Sequence, residues 1–582
     1  MNRSDTLTPV TSRAWRWALV GALALLGAAG YWGFAFVRLY RTGSSDWQLF
    51  QHQWEAARVA VMRWGEFPLW DPFHCGGVTL FGDPQAQVYG PLFWLLLPLG
   101  TTIGLKVFFV LHTSAGLAGM FVLARRELGA GVAPAIVAAA VWGFGGFFAW
   151  HGSSGHITFL PFYLAPWLLL AWRRSAENPR WCVAVAIIMA LVLFEGGVYP
   201  FPYFTLLLGF DAVARLLGRE PPRGIVRAGA IAGVLTLLLG SFRLLPIIET
   251  LELYPRLASS RDSVSFREVV VMLTGRGPEY EYEYPFGHEY VWPEYGSYTG
   301  WVPLIAAGLG GVVAVWGGRW RLVCGAILFG GLMLGYASPW HPWAILHLVP
   351  PFDSLRVPSR FAVLFTFYLG LLAALALQSF TELLARSRMP RAFPLVLAFG
   401  IAADVFITNR PARDRWHAPP PPSQIVADVH YHLLPREQYD RLISFPALGV
   451  SNRGCYTGMK YRAAPGLWEG DVPQVRVESA TGTLHGESRT ANTMRAEVTL
   501  NGAGDIVFNQ TWAPGWKSSL GTLDKDAAGR IVVRAPAGRH DVVVRYVPPR
   551  LVAGAALSLA GLVSSVLVLL YWPRARAATP SR

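Results

Sequence analysis

Charge is what this sequence has least of. Asp, Glu, Lys and Arg make up 15% of its 582 residues, against about 25% in an average soluble domain. With 53% hydrophobic residues, that deficit excludes both a soluble globular chain and intrinsic disorder. Acids are the scarcer sign, 36 against 50 basic residues, for a net charge of +14. The bases are mostly Arg in short clusters between apolar runs, which marks membrane topology and not a nucleic-acid patch. There are only 4 cysteines, with no CxxC and no metal spacing. Cys182 and Cys324 fall in apolar runs and read as small buried thiols. Cys75 and Cys455 lie outside them, and a disulfide between them is neither favoured nor forbidden by sequence distance. No Walker A, GxGxxG, HExxH or GxSxG pattern stands where it would work, so nucleotide-driven chemistry has no support.

What is present is a series of apolar runs. The first, Trp17–Val37, is long enough to span. Arg13 and Arg16 precede it and Arg38 and Arg41 follow it; with more spans downstream, it reads as a retained helix and not a cleaved signal. Further spans are expected at 102–124, 132–150, 157–172, 181–197, 199–216, 225–247, 299–316, 321–337, 359–381, 392–408 and 550–572, about twelve in all. With the N-terminus in the cytoplasm, every cytoplasmic piece is short and carries two to four arginines, as the positive-inside rule requires. The C-terminus then also lies in the cytoplasm, and the protein is expected in the inner membrane.

The long segments fall on the opposite side. A mainly α polytopic membrane fold is therefore expected. Residues 1–408 form a transmembrane core with outer loops at 38–90 and 249–298. Residues 409–549 form an extracytoplasmic domain, and 550–582 the last span with a basic tail. The 409–549 block opens on Ala418-Pro-Pro-Pro-Pro422, a stiff spacer. Ala496, Val498 and Leu500 alternate with Arg495, Glu497 and Thr499, a strand pattern. Asn501-Gly502 signals a hairpin. Runs at Ile506–Phe508, Ile531–Arg534 and Val542–Val547 complete an expected small β-sandwich.

Candidate chemistry gathers on the outer side. Asp46 sits a few residues past the first span, at the membrane–water boundary. Trp47, Phe50, Trp54, Ala57, Val61 and Trp64 follow at near-helical spacing, which suggests an amphipathic helix lying in the interface. Asp46 is either the N-cap of that helix or a reactive carboxylate, or both. Asp71 and Asp83 each precede a proline and can shape turns or supply supporting carboxylates. His151 and His156 flank a glycine-rich turn. Glu195 ends a span, where a carboxylate is costly unless paired. Arg243 and Glu249 are candidates for a pair. In Pro350–Arg360, Arg356 and Arg360 stand where the positive-inside bias does not place them, and guanidinium suits phosphate. Glu279–Glu283 and Glu294, with Tyr280, Tyr282, Tyr284, Tyr295 and Tyr298, form an acidic aromatic stretch of a kind that holds sugars.

Taken in order, several segments resemble the bacterial YfhO-like membrane proteins of the GT-C glycosyltransferase superfamily. They are Asp46, Pro68-Leu-Trp-Asp-Pro72 with Gly76-Gly77, Gly82-Asp-Pro-Gln85 with Tyr89-Gly-Pro91, Gly155-His156, Glu195-Gly-Gly197 with Tyr199-Pro200, Phe352–Arg360, and Trp512-Ala-Pro-Gly-Trp-Lys517 with Pro536-Ala-Gly-Arg539. The resemblance implies a many-helix glycosyltransferase with an outer-face site. It also implies a polyprenyl-phosphate sugar donor and an envelope glycan, polymer or protein as acceptor.

The residues themselves allow that chemistry. A polyprenyl phosphate leaves without a general acid, since its second pKa is about 6. What remains is a base for the acceptor hydroxyl and positive charge for the phosphate. Asp46 fits the first role, and Arg356 with Arg360 the second. Asp71, Asp83, His156 and Glu195 are the supporting candidates. A divalent metal between carboxylates and phosphate is compatible with this scheme, though no ligand set stands out. A lipid-linked sugar flippase is the rival reading, and a non-catalytic glycolipid-binding partner of another transferase the third. Flippases place ionisable groups at mid-membrane, whereas here polar groups collect at span ends.

Overall fold

The structure is a computed structural model that describes residues 10–37, 39, 46–256, 258, 261–276, 287–384, 390, 392–410, 430–432 and 441–572. The proline spacer at 418–422 and the Glu279–Tyr284 part of the acidic aromatic stretch lie outside the described residues. Among the described residues, six helical segments are long and apolar enough to cross a membrane: Thr101–Glu127, Val132–Ser153, Pro200–Leu217, Pro222–Leu253, Pro358–Leu384 and Leu551–Tyr571. Four more are apolar but shorter: Arg180–Phe194, Trp301–Trp316, Trp320–Met333 and Phe393–Thr408. Val10–Val37 is a 28-residue helix.

About twelve crossings were expected, and length separates them. A helix of some fifteen residues rises only about 22 Å, less than the ~30 Å hydrocarbon core. The run at 157–172 divides into a 3-10 segment, Ile157–Leu164, and the helix Ala165–Ser175. Pro161 and Pro166 explain the break, since each removes a backbone donor. Small residues let the spans close up. A Cβ at Gly310 would lie 1.9 Å from the Leu372 carbonyl oxygen, so Trp301–Trp316 packs against Ala362–Leu384 at backbone distance.

Among the described residues, eight strands form the two larger sheets of the 409–549 block: β1 (Val475–Glu478), β2 (Gly482–Arg489), β3 (Thr493–Leu500), β4 (Gly504–Thr511), β5 (Trp516–Ser518), β6 (Thr522–Lys525), β7 (Arg530–Ala535) and β8 (Gly538–Tyr546). They make two antiparallel four-stranded sheets, in the orders β6-β7-β4-β1 and β2-β3-β8-β5. Met494, Ala496, Val498 and Leu500 of β3 point into the core, as period-2 alternation dictates. Asn501-Gly502 is not a hairpin turn, however. β3 is already flanked by β2 and β8, so it has no free edge, and the chain crosses at this point to the other sheet.

The β-domain is packed onto the first loop. Asn492 Oδ1 accepts from the backbone N–H groups of Leu69 (3.1 Å) and Trp70 (3.0 Å). The Trp70 ring lies 4.6 Å from Tyr546 and 5.2 Å from Trp516. Cys75 and Cys455 form a disulfide across 380 positions. The helix Trp47–Trp64 therefore does not lie on an open interface. Most of it is buried, Trp47 and Trp54 included, between Thr101–Glu127 and a cluster with Leu442 and Phe445. Trp47 and Trp54 are core residues and not lipid anchors, because the segment with Leu442 and Phe445 covers the face that the sequence pattern left open, and Trp64 packs half-buried at the edge of that cluster.

Candidate functional site

Asp46 begins the helix Trp47–Trp64 with helical φ and ψ of −64° and −12° and makes no side-chain cap bond. A capping Asp usually adopts an extended conformation and bonds a first-turn N–H, so this carboxylate is not spent on its own helix. The backbone fixes its position instead. Asp46 N–H donates to Ser154 O (3.1 Å) and Trp47 Nε1 to Gly152 O (2.7 Å). Gly155 makes the approach possible: its φ is +84°, and a Cβ there would lie 2.1 Å from Trp47 N.

That docking brings the carboxylate to the two histidines at the ends of the turn. His156 Nε2 lies 3.5 Å from Asp46 Oδ2. His156 and His151 meet through their Nδ1 atoms at 2.6 Å, a contact that needs one proton between the two nitrogens. Tyr456 Oη donates to Asp46 Oδ1 at 2.6 Å. Glu294, on the short 3-10 turn Trp292–Glu294, places its oxygens 3.9 Å from His151 Nδ1 and 3.9 Å from His156 Nε2.

Arg360 closes the cluster from the far loop. Its Nε and Nη2 donate to the two Glu294 oxygens at 2.8 and 2.5 Å, a bidentate pair. The guanidinium lies 4.5 Å from the Tyr199 ring centroid and 5.0 Å from that of Phe159. Tyr199 Oη donates to Arg356 O (3.1 Å) and accepts from Arg356 N–H (3.2 Å). Between the two arginines Val357 has φ +63°, unusual for a β-branched residue and a store of local strain. The site grades outward: side-chain exposure is 5% at Arg360, 10% at Glu294, 13% at His156 and 31% at Asp46. Arg356 is exposed.

No protein-family model matches the chain. No curated protein matches it either. Among solved structures it is similar to the cryo-EM structure of arabinofuranosyltransferase AftD from Mycobacteria, with TM-score 0.45 and 19% identity over 74% of this chain and 30% of that one. A mutant of the same protein gives 0.42 and 18%, over 70% and 28%. The chain thus spans less than a third of the length of either.

The electrostatics of the cluster follow from its closure. Burial alone would raise the Glu294 carboxyl. The Arg360 guanidinium and the two imidazoles outweigh it and hold the group well below the usual carboxylate range. Burial, with the charges of Arg360 and Arg356, lowers the His156 imidazole despite Glu294 and Asp46. Arg256 faces the same charges, and burial, Arg356 and Arg360 together lower its pKa. His151, His156 and Glu294 present ligand atoms within 4.8 Å of one another. Two imidazoles and a carboxylate, with Asp46 beside them, suit a zinc-like ion. Both Glu294 oxygens are held by Arg360, so an ion there competes with that pair.

The other predicted residues lie elsewhere. Asp71 accepts from His52 Nε2 (2.8 Å) and Phe73 N–H (2.9 Å) and is sealed from solvent. Burial would raise Asp71, but His52 outweighs it and the carboxyl is lowered; burial would lower His52, but Asp71 raises it. Burial and the charge of His52 push His74 down to about 4. Asp83 closes a turn by accepting Gln85 N–H at 2.8 Å, and burial pushes its carboxyl up to about 6. Glu195 pairs with His112 at 2.9 Å, buried among the spans. Arg243 does not pair with Glu249; it donates to the carbonyls of Asp83 and Ala86. Tyr456 and Arg256 carried no signal of their own in the sequence. For Tyr456 the Cys75–Cys455 bond is the clue, since it carries the next residue to the first loop.

Proposed function

We propose that this protein is a membrane glycosyltransferase that moves a sugar from a polyprenyl-phosphate donor to a cell-envelope acceptor on the outer face of the inner membrane. One observation carries the reading: a carboxylate released from helix capping and an arginine loop from far along the chain meet over His156 and Glu294. The disulfide supports placing that face in an oxidising compartment. The motif resemblance to YfhO-like proteins points the same way.

Asp46 is the base. It takes the proton of the acceptor hydroxyl, whose oxygen attacks the anomeric carbon. The bond from that carbon to the phosphate oxygen breaks, and the lipid phosphate leaves with the electron pair. Tyr456 and His156 hold the carboxylate in position. Arg356, exposed and outside the Arg360–Glu294 pair, is the phosphate ligand, with Arg256 beside it. Arg360 has Nε and Nη2 committed to Glu294, so its work is to position Glu294 and set the field of the site.

The test is sugar transfer by purified protein supplied with polyprenyl-phosphate sugars and envelope acceptors. Transfer by the native chain and its loss in Asp46→Asn are expected. Lipid movement across the bilayer without transfer, or binding alone, would replace this reading with the flippase or the scaffold.

A further inference from the structure

At the other end of the segment Val132–Ser153 from the His151 turn lies a second feature that this chemistry does not use. A cleft of about 1040 Å³ opens between the helices Val10–Val37, Thr101–Glu127, Val132–Gly143 and Phe393–Thr408. Its walls are apolar, with Leu117, Phe121, Ile136, Phe399 and Phe406 among them. It opens sideways: Leu23, Phe399 and Ile407 are 59%, 60% and 64% exposed. Among the described residues its only charged lining groups are Arg16, Arg125 and Arg126, all at one end. Among the described residues, no hydroxyl, amide or carboxylate side chain lines it.

We propose that this cleft binds one anionic, two-chain phospholipid of the surrounding bilayer. The dimensions suit the tails. From position 16 to position 27 the first helix rises about 16 Å, close to half of the ~30 Å hydrocarbon core. The rim suits a phosphodiester. Arg126 lies 5.3 Å over the Trp17 ring, and Arg125 Nη1 is anchored on Ala130 O at 2.5 Å, so the guanidinium groups are held at headgroup depth. The adjacent acid does not neutralise them, because Glu127 is paired with Arg173 at 3.1 Å. Arginines at neighbouring helix ends differ: Arg215 and Arg321 both contact Glu220. A sugar headgroup would find only guanidinium donors here and no acceptor, whereas a phosphate needs nothing else.

The experiment is native mass spectrometry of the full, delipidated chain titrated with phosphatidylglycerol or phosphatidylcholine of matched tails. One phosphatidylglycerol per chain should be retained under conditions that strip phosphatidylcholine. Each rim arginine should contribute about fivefold, so R125Q/R126Q should lower the affinity about twenty-five-fold. Ala403→Trp, on the exposed wall of the cleft, should abolish retention with all arginines in place, which guards against misinsertion of the charge variant. Equal retention of the two lipids overturns the proposal. So does binding that neither variant changes, a dimer mass that excludes lipid, or displacement of phosphatidylglycerol by equimolar polyprenyl phosphate.

Discussion

Two histidine–carboxylate clusters draw on the same first loop and end differently. His52 and Asp71 meet at 2.8 Å with side-chain exposures of 0% and 2%. His52 Nδ1 is used up on Leu442 O, and Asp71 also accepts Phe73 N–H. His156 and Asp46 sit 3.5 Å apart, with exposures of 13% and 31%, beside a buried ion pair and an exposed arginine. The first cluster is closed and satisfied and fastens the loop to the Leu442 segment. The second keeps an open side and an under-used carboxylate. Residue type does not separate them; access and unsatisfied capacity do.

The sharpest way to break this comparison is Asp46→Asn. Transfer should fall by about 10²–10⁴-fold, the usual worth of a general base. The melting temperature should hold, because no cap bond is lost. Full activity on the cognate acceptor would end the catalytic reading.

Asp71→Asn should do the reverse. Removing one partner of a buried pair costs about 3–5 kcal/mol, seen as a lower unfolding temperature in detergent. Transfer per folded molecule should be unchanged, and a specific loss of turnover would merge the two clusters into one site.

Cys75→Ser should also act on stability, by about 2–4 kcal/mol. Because Tyr456 adjoins Cys455, this variant should additionally loosen the Asp46 site. A thermal shift with no effect on turnover would show that the disulfide does not position Tyr456.

Asp83 gives a pH test. Its carboxyl is raised from 3.8 to about 6 in the folded chain. The stability that it contributes is therefore fully present below the unfolded value and lost as pH rises through about 6. Asp83→Asn should gain on the native protein between pH 4 and 7, by roughly 2–3 kcal/mol at 1.36 kcal/mol per unit. A constant difference across that range contradicts burial as the cause.

The smallest effect is expected from Arg356→Gln. An exposed cation is screened, so the donor KM should rise a few-fold at low salt and less at high salt. A salt-independent loss would mean that Arg356 acts inside the closed part of the site.

Much of the outline was legible beforehand. Period-2 burial of Ala496, Val498 and Leu500 follows directly from side-chain alternation. Each apolar run became helical over most of its length, because apolar stretches must satisfy their backbone internally in a bilayer. The site was only half legible. Asp46, His151, His156 and Arg360 could be singled out, and the fold brings them together. Asp71, Asp83 and Glu195 belong to the same residue classes at similar boundary positions, and the fold sends them to three other places. Glu294 stood out only as one acid in an aromatic stretch, although it joins the two halves of the site.

Composition and hydropathy by themselves determined that this is a membrane chain with a β-rich appendage, since burial of apolar surface and backbone satisfaction are local, additive demands. Which strands pair, whether an Asp caps a helix, and which acid faces which arginine were decided only in three dimensions. Those outcomes depend on contacts between segments hundreds of residues apart, such as His52 with Leu442, Asp46 with Tyr456, and Cys75 with Cys455, and no local pattern carries that information.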